Sequence, residues 1–236
     1  MSKGFRRGIL GGVAFSVLAG LCGCCFIDPP PNPDFVWSPM DPLAFEVVTF
    51  TDRSTDTGGP FAAGGVVEWF WDFGDSETSR SQNPRHCYTK SGRYQVQLTV
   101  ADSCGNRRTV TREIRVKPSV GGEWRGTIID LARQTYQLSL QLYHSSSGGI
   151  TGTAYVDIYA CSIISASLVG DQFTVSFVYP GTGNQWQLVG SFNEEAQRIQ
   201  GNAFNVFWGG RQFGTFEVRR VGSPSCSSLL SEEGKE

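Results

Sequence analysis

The chain has 236 residues, with 20 Lys and Arg against 22 Asp and Glu, and a formal net charge of −2. This balance provides no strongly basic surface for a nucleic acid backbone, so we expect no nucleic acid partner. The 29 Gly, 16 Phe, 7 Tyr and 6 Trp suit short strands joined by tight turns. The composition predicts an all-β protein, and the length favours two small domains.

The first 24 residues have the pattern of a bacterial lipoprotein signal peptide. Three basic residues lie within the first seven positions, and residues 8–21 are apolar. As a helix this stretch would span roughly 21 Å, which is short for the ~30 Å core of a bilayer. It ends in the sequence Leu-Cys-Gly-Cys, which resembles the lipobox and implies that the mature chain begins at a lipid-bearing Cys24. An ordinary secretory signal with incidental cysteines is the alternative.

A proline-rich linker, residues 25–32, follows the predicted anchor. Consecutive prolines favour an extended polyproline spacer of about 3 Å per residue, which would hold the next domain away from the membrane. Cys25 follows Cys24, whereas an Asp at this position is associated with inner-membrane retention in lipoproteins of bacteria with two membranes. We therefore expect an extracytoplasmic protein of the cell envelope, anchored by its lipid, with the outer membrane preferred.

Residues 33–117 alternate apolar and polar side chains, as half-buried strands do. The alternation is clearest at residues 94–100 and 109–116, which are separated by a turn cluster and predict a hairpin. Residues 46–52 and 66–73 are rich in Val, Phe and Trp and predict further strands. About seven short strands in this length are typical of a β-sandwich.

This region contains three ordered motifs. The pattern W-D-F-G-D-G matches residues 71–76 except for Ser76 in place of the last glycine, P-x-H-x-Y matches residues 84–88, and G-x-Y-x-V-x-L-x-V-x-D matches residues 92–102. The three motifs resemble the signature of the PKD (polycystic kidney disease) domain family. The resemblance implies an immunoglobulin-like sandwich that mediates protein or carbohydrate contacts, or acts as a spacer. It marks ten structural residues: Trp71, Asp72, Phe73, Gly74, Asp75, Pro84, His86, Tyr88, Gly92 and Tyr94.

The first motif has a physical reading of its own. Trp71 and Phe73 alternate with Asp72, so we expect the two rings to point into the sandwich and the carboxylate to point outward or toward the turn. Gly74 permits a tight turn, and Asp75 can accept hydrogen bonds from backbone amides there. For His86 we favour a buried, hydrogen-bonded structural role over a catalytic one.

A calcium site is the sharper alternative for the two aspartates of this motif. Asp72 and Asp75 would hold the ion together with a loop carboxylate such as Asp52 or Asp56, because calcium takes six to eight oxygen ligands. Turns in which an aspartate caps nearby backbone amides explain both residues more simply. We therefore expect no metal and no cofactor.

Residues 121–221 predict a second β domain. Eight strands with short connections indicate an antiparallel meander: 124–129, 136–143, 150–158, 162–169, 172–179, 185–192, 198–206 and 212–220. The similar segments 150–154 and 199–203 suggest a four-stranded unit used twice, which favours a small up-and-down barrel. The sequences GEWRGT at 122–127 and GTFEV at 214–218 loosely resemble calycin or lipocalin-like barrels, and a two-sheet sandwich is the alternative.

The tryptophans of the second domain leave two roles open. Trp124, Trp186 and Trp208 would line the mouth or interior of a barrel that binds a small apolar or glycan ligand, or they would pack in its core. Core packing is favoured because side chains fill most small barrels. A cavity of ~300 Å³ or more inside the barrel would favour the ligand.

No pattern of catalytic residues emerges from the sequence. The histidines are His86 and His144, and no nucleophile elbow, phosphate-binding loop or H-E-x-x-H motif is present. We predict a non-catalytic protein, with an accessory role beside an exported hydrolase as a further hypothesis.

Four cysteines follow the anchor region, Cys87, Cys104, Cys161 and Cys226. An even number suits an oxidising compartment, and three connectivities are open. Pairing of Cys87 with Cys104 is disfavoured by the strand of about 27 Å between them, so Cys161 with Cys226 is the alternative considered. The polar tail, residues 222–236, is expected to be disordered, with Cys226 as a tether for its start.

Overall fold

The computed structural model describes residues 29–58, 65–195, 197–206, 209–222 and 226. The predicted signal peptide, Cys24, residues 25–28 of the linker and most of the tail lie outside these residues. Fifteen strands are described: β1 (Phe35–Ser38), β2 (Val47–Asp52), β3 (Val66–Asp72), β4 (Thr78–Ser79), β5 (Arg85–Cys87), β6 (Gly92–Asp102), β7 (Arg107–Val116), β8 (Gly122–Asp130), β9 (Thr135–His144), β10 (Ile150–Val156), β11 (Tyr159–Val169), β12 (Gln172–Val178), β13 (Gln185–Asn193), β14 (Arg198–Asn205) and β15 (Arg211–Arg220). Within the described ranges, no helix has the length and apolar character needed to cross a membrane.

The first seven strands form a two-layer sandwich. One sheet has the order β1-β2-β5 and the other the order β4-β3-β6-β7. Strands β6 and β7 pair over ten residues from Gly92 opposite Val116 to Ala101 opposite Arg107, which confirms the predicted hairpin. Alternate residues of both sheets meet in one apolar core: Phe35, Ala44, Val48, Phe50, Trp71, Phe73, Tyr88, Val96, Leu98, Val100, Ile114 and Val116.

The last eight strands form a closed antiparallel barrel. Each strand pairs with its neighbour in the chain, and β15 closes the ring against β8, with Phe216 opposite Ile128. The predicted meander and its closure are confirmed, and the alternative of a two-sheet sandwich is excluded. Inward-facing side chains fill most of the interior, including Trp124, Leu140, Phe173, Leu188 and Phe192.

Two glycines let the barrel strands cross closely. Gly190 on β13 lies opposite Gly201 on β14. A Cβ atom at Gly190 would lie 2.3 Å from the carbonyl oxygen of Gln200, and one at Gly201 would lie 2.1 Å from that of Val189. Since real Cβ atoms do not approach backbone this closely, glycine at both positions permits the sharp strand coiling that closes a small barrel.

The sandwich and the barrel are joined at one end of the barrel, called here the proximal end. Arg220, the last residue of β15, donates to the carbonyl oxygens of Gly121 and of Ser119, the latter at 2.7 Å. Its guanidinium lies between the rings of Phe45 from the sandwich, at 5.1 Å, and Trp124 from the barrel, at 4.5 Å. Burial lowers the pKa of Arg220 to about 10, so the group is still charged at neutral pH.

Further contacts fix the same junction. The Ser91 amide of the sandwich donates to Glu194 of the barrel at 2.9 Å, and the Ser91 hydroxyl contacts the same carboxylate. Val120 of the connecting segment is fully buried in the barrel core. The two units are therefore joined by packing as well as by hydrogen bonds.

A disulfide between Cys87 of β5 and Cys226 also links the two units, with a Cα–Cα distance of 5.7 Å. The pairing of Cys161 with Cys226 considered from the sequence is therefore wrong, while the tethering of Cys226 is confirmed. Cys161 is a free thiol that faces the barrel core with 1% exposure, where it cannot reach the tail. Burial raises the pKa of this thiol, which keeps it protonated. Cys104 is also disulfide-bonded.

Candidate functional site

The residues of the signature motif make contacts inside the sandwich. Trp71 is fully buried and donates from Nε1 to the carbonyl oxygen of Ser81 at 2.9 Å. Tyr88 is also fully buried, and its hydroxyl donates to the carbonyl oxygen of Phe73 at 3.1 Å. Burial raises the pKa of Tyr88 far above its usual value, so the phenol remains a hydrogen-bond donor. The inward orientation predicted for Trp71 and Phe73 is what the structure has.

His86 lies in the wall of this core. Its ring stacks on Phe73 with centroids 4.1 Å apart, and its Nε2 atom is hydrogen-bonded to Asp75 Oδ2 at 2.7 Å. The side chain is almost inaccessible to solvent. In this position the ring contributes packing and a hydrogen bond to the sandwich.

The carboxylates considered as calcium ligands accept hydrogen bonds from the protein instead. Asp72 Oδ1 accepts from the Gly74 amide at 2.9 Å, and Asp75 Oδ1 accepts from the Glu77 amide at 3.2 Å. Asp52 accepts from the Trp69 indole and the Ser54 amide, and Asp56 from the amides of Gly58 and Gly65. Within the described ranges no group of three or more His, Cys, Asp or Glu side chains is placed to hold a metal ion. These contacts favour the turn role over the calcium alternative.

The remaining motif residues define the backbone path. A Cβ atom at Gly74, where φ is 80°, would lie 3.0 Å from the backbone nitrogen of Gln95, so the turn passes close to β6. The carbonyl oxygen of Pro84 accepts from the Phe50 amide at 2.9 Å. Gly92 begins β6, and the Tyr94 hydroxyl donates to the carbonyl oxygen of Lys90. These contacts of the motif help to build the sandwich.

The barrel has a cavity at its distal end, which is the end away from the junction. Its volume is about 290 Å³, close to the ~300 Å³ at which small-molecule sites begin. The β8–β9, β10–β11 and β12–β13 turns surround it. The lining residues converge from seven strands and two loops: Ile128, Tyr136, Val156, Asp157, Phe177, Tyr179, Thr182, Asn184, Trp186, Asn205 and Phe213.

Aromatic rings form most of the wall of this cavity. Trp186 and Phe213 meet edge to face, with centroids 4.4 Å apart and an interplanar angle of 84°. Tyr136 contacts Phe213 at 5.9 Å, and Phe177 is 99% buried beneath them. Because Trp186, Phe213 and Tyr136 are only partly buried, their remaining surface faces the cavity.

Polar groups are concentrated at the edge of the same cavity. Asp157 lies in the β10–β11 turn, with Oδ1 accepting from the Gln137 amide at 2.7 Å. The Tyr136 hydroxyl donates to Asp130 Oδ2 at 3.3 Å. The pKa of Tyr136 is raised by desolvation and by Asp130, and that of Tyr179 by desolvation and by neighbours that include Asp157. Both phenols therefore stay neutral, and the edge of the cavity carries negative charge.

Exposed apolar side chains lie in the turns at the same end of the barrel. Leu131 in the β8–β9 turn is 75% exposed, and Ile158 in the β10–β11 turn is 86% exposed. Tyr159 at the start of β11 packs on Tyr179, with centroids 5.1 Å apart. Large apolar groups left in water beside an aromatic cavity mark a surface suited to a ligand or partner.

The three tryptophans considered for ligand binding have different positions. Trp186 lines the distal cavity. Trp124 is fully buried near the proximal end, where its Nε1 donates to the carbonyl oxygen of Val120 at 2.8 Å, so core packing describes it. Trp208 lies outside the described residues. Tyr136, Asp157 and Phe213 were missed from the sequence, although all three lie at or beside strand ends that a meander brings to the same end of a barrel.

A larger concave surface lies outside the barrel, across β8, β14 and β15, with a volume of about 580 Å³. It is more open than the distal cavity, and its two arginines are paired with neighbouring glutamates. Arg125 forms an ion pair with Glu123 at 2.6 Å, and Arg219 with Glu217 at 3.0 Å. The distal cavity is the better candidate because it is more enclosed and has an aromatic wall.

Comparison with known families concerns the first of the two units. Residues 36–117 match the PKD domain family. This segment is a PKD domain. The resemblance seen in its motifs is thereby confirmed, and the exposed turn at Ser76, where φ is 78°, tolerates the missing glycine.

Proteins similar to the chain include two bacterial collagenases. It is 29% identical over 151 residues to "Collagenase ColQ1" of Bacillus cereus (strain Q1), covering 64% of this chain and 14% of that protein. It is 38% identical over 78 residues to "Microbial collagenase" of Vibrio alginolyticus, covering 33% of this chain and 9% of that protein. The chain therefore spans only a small part of these relatives.

Among solved structures, the PKD1 domain of Vibrio anguillarum Epp is 32% identical, covering 39% of this chain and 99% of that domain, with a TM-score of 0.34.

Proposed function

We propose that this protein is a non-catalytic, lipid-anchored binding protein of the bacterial cell envelope. In this proposal the PKD domain is a rigid support, and the barrel binds a small ligand at its distal mouth. The observation that carries it is the distal cavity, lined by Tyr136, Trp186 and Phe213, in a barrel whose interior is otherwise filled. Filled interiors give a barrel stability, whereas an aromatic cavity at a mouth provides a site.

The support role follows from the junction. Arg220 between Phe45 and Trp124, together with the Ser91–Glu194 contact, joins the PKD domain to the proximal end. The distal mouth is thereby directed away from the PKD domain. A rigid arm of this kind would present the mouth to ligands outside the membrane surface.

The absence of catalysis is inferred from the two histidines. His86 is held by Asp75 and Phe73, as described above. His144 is half-buried at the junction, where Nδ1 accepts from the Val120 amide at 3.4 Å. Neither is close to the distal cavity, so we infer that the protein binds its ligand without converting it.

A screen for stabilising ligands tests the binding function. We expect some members of a library of small metabolites to raise the Tm of the barrel, because a ligand that binds only the folded state stabilises it. The variant Trp186→Ala should lose this response. Trp37→Ala, which removes a tryptophan of the PKD domain, is the matched control and should keep it. Equal responses in both variants would place the ligand elsewhere and overturn the proposal.

The lipid anchor is a separate part of the proposal, supported by the lipobox-like sequence ending at Cys24. Several acyl chains on one cysteine give stable membrane attachment. Intact mass and membrane partitioning of the wild type, Cys24→Ala and Cys22→Ala provide the test. We expect only Cys24→Ala to lose the acyl mass and enter the soluble fraction. An unmodified wild-type chain would contradict the anchor.

An accessory role beside an exported hydrolase is the second candidate, favoured by the similarity to two collagenases. Under this hypothesis the PKD domain contacts a protein substrate such as collagen. Co-sedimentation of the intact protein with insoluble collagen fibrils measures this contact. Retention that survives Trp186→Ala would favour this role, and a protein that stays entirely in the supernatant would exclude collagen as the substrate.

A further inference from the structure

The charge and shape of the distal cavity narrow the class of ligand. Among the described residues that line it, Asp157 carries the only charge, and the remaining polar groups are neutral. Asp130 lies just behind the wall, within hydrogen-bond distance of the Tyr136 hydroxyl. Two carboxylates and several ring faces around one cavity attract positive charge and disfavour an anion.

We infer that the distal mouth binds a compact organic cation, an ammonium group that carries methyl or other apolar substituents. This inference rests on the proposed binding function and names the ligand class for the same site. The rings of Tyr136, Trp186 and Phe213 would surround the cation, while Asp157 at the edge would balance its charge. Aromatic cages recognise alkylated ammonium groups through the negative faces of their rings.

The geometry of the rings favours a rounded ligand over a flat one. Trp186 and Phe213 meet at 84°, which makes a corner rather than a continuous platform. A sugar ring stacks on one flat face, whereas a substituted ammonium group presents a similar surface in every direction and fits a corner. The volume of about 290 Å³ admits such a group with its substituents.

The electrostatics of the phenols agree with this assignment. The pKa of Tyr136 is raised in part by Asp130, and that of Tyr179 in part by Asp157, because the negative field of each carboxylate opposes a phenolate. The same field favours a cation placed between them. A fatty acid carboxylate in this position would be repelled by both aspartates.

The apolar rim offers surface to the substituents of the cation. Leu131 and Ile158 lie in the β8–β9 and β10–β11 turns at this end of the barrel, with 75% and 86% of their surfaces exposed. A ligand that enters the cavity with its charged group would cover part of these side chains. Binding would therefore depend on both charge and apolar contact, and a small inorganic cation would bind poorly.

Calorimetric titration of the full-length protein tests the inference with two probes of equal shape. Choline carries the charge, and its uncharged tert-butyl analogue, in which carbon replaces nitrogen, does not. We expect choline to bind at least about tenfold more tightly than the analogue, since cation–ring attraction is absent from the latter. A third titration with a neutral disaccharide covers the glycan alternative.

Matched variants show which residues cause the difference in affinity between choline and its uncharged analogue. Asp157→Asn should weaken choline binding several-fold without changing the affinity for the analogue, and the Asn side chain preserves an acceptor for the Gln137 amide. Asp171→Asn makes the same change of charge in the β11–β12 turn at the proximal end and should leave both affinities unaltered. Trp186→Ala should abolish binding of both probes, and Phe213→Leu is available if that variant does not fold.

The outcomes separate the ligand class from the binding function. Equal affinity for the two probes, or tighter binding of the disaccharide, would overturn the cation inference while leaving a ligand site at the mouth. No heat of binding from choline, in a protein whose Tm responds to other metabolites, would likewise overturn it alone. Failure of choline together with failure of the metabolite screen would overturn the cation inference and the proposed function.

Discussion

The aromatic side chains of the PKD domain close its core, whereas those at the distal end of the barrel leave a cavity open. Trp71 and Tyr88 are fully buried and donate to backbone carbonyl oxygens. Trp186 and Phe213 pack on each other but keep one side free. A motif that identifies a fold consists of the residues that build that fold. A binding site is therefore to be sought among side chains that keep part of their surface free.

The largest expected effect is on stability, and it tests whether Trp71 belongs to a core and Trp186 to a site. Trp71→Ala should destabilise the PKD domain by about 3–5 kcal/mol, because it removes a large buried ring and leaves a cavity. Trp186→Ala should cost far less, since this ring is only partly buried. Scanning calorimetry of both variants measures the difference. Equal losses of stability would mean that Trp186 belongs to the core rather than to a site.

A second variant separates the two units at their junction. Arg220→Met keeps much of the apolar contact with Phe45 and Trp124 but removes the charged hydrogen bonds to Gly121 and Ser119. Hydrogen bonds from a charged group contribute roughly 1.5–3 kcal/mol, so we expect a loss of about 2 kcal/mol. Small-angle scattering should also report a wider range of orientations. Arg219→Met, in an exposed ion pair of the same strand, is the control and should change neither quantity.

A smaller effect concerns the turn in which the chain departs from the family signature. Ser76 has a φ of 78°, in the left-handed region that costs a side-chain residue about 1–2 kcal/mol. Ser76→Gly removes this strain but adds roughly 0.4–1 kcal/mol of unfolded-state entropy. We expect a net gain of about 0.5 kcal/mol, measurable by urea denaturation. A loss of stability would mean that the serine side chain has a role of its own in the turn.

The smallest effect is a pH dependence at the junction. Burial lowers the pKa of His144, while Glu46 opposes the shift. A histidine whose folded pKa is depressed contributes full stability above its unfolded pKa of about 6.5 and loses it as the pH falls below that value. His144→Asn retains an acceptor for the Val120 amide without titrating, so its Tm should fall less than that of the wild type between neutral and mildly acidic pH. Parallel pH profiles would exclude this group.

Much of the fold could be predicted because alternation of side chains is a local property. The eight strands of the barrel follow from runs such as Tyr136 to Leu142, and closure follows from short connections with an even strand number. The role of His86 followed from the motif around it. By contrast, the Cys87–Cys226 disulfide depends on how two units pack, which spacing along the chain does not encode.

The candidate site could be predicted only in part for a related reason. Trp186 is a natural candidate because tryptophan is large and rare. The same reasoning selects Trp124, which lies in the core. Tyr136, Asp157 and Phe213 become neighbours only through the register of β8 with β9 and β15 and of β9 with β10. The site is formed by strand ends from around the whole barrel, so it exists only when the barrel is closed. No single segment of the sequence contains enough of the site to predict it.

The most direct test of the account is amide chemical-shift mapping of the folded protein during titration with choline. The account predicts shifts confined to the β8–β9, β10–β11 and β12–β13 turns and to the strand ends around Trp186 and Phe213, with the PKD domain unchanged. Shifts centred on the PKD signature at Trp71 to Asp75, with none at the distal mouth, would contradict the division of roles between the two units.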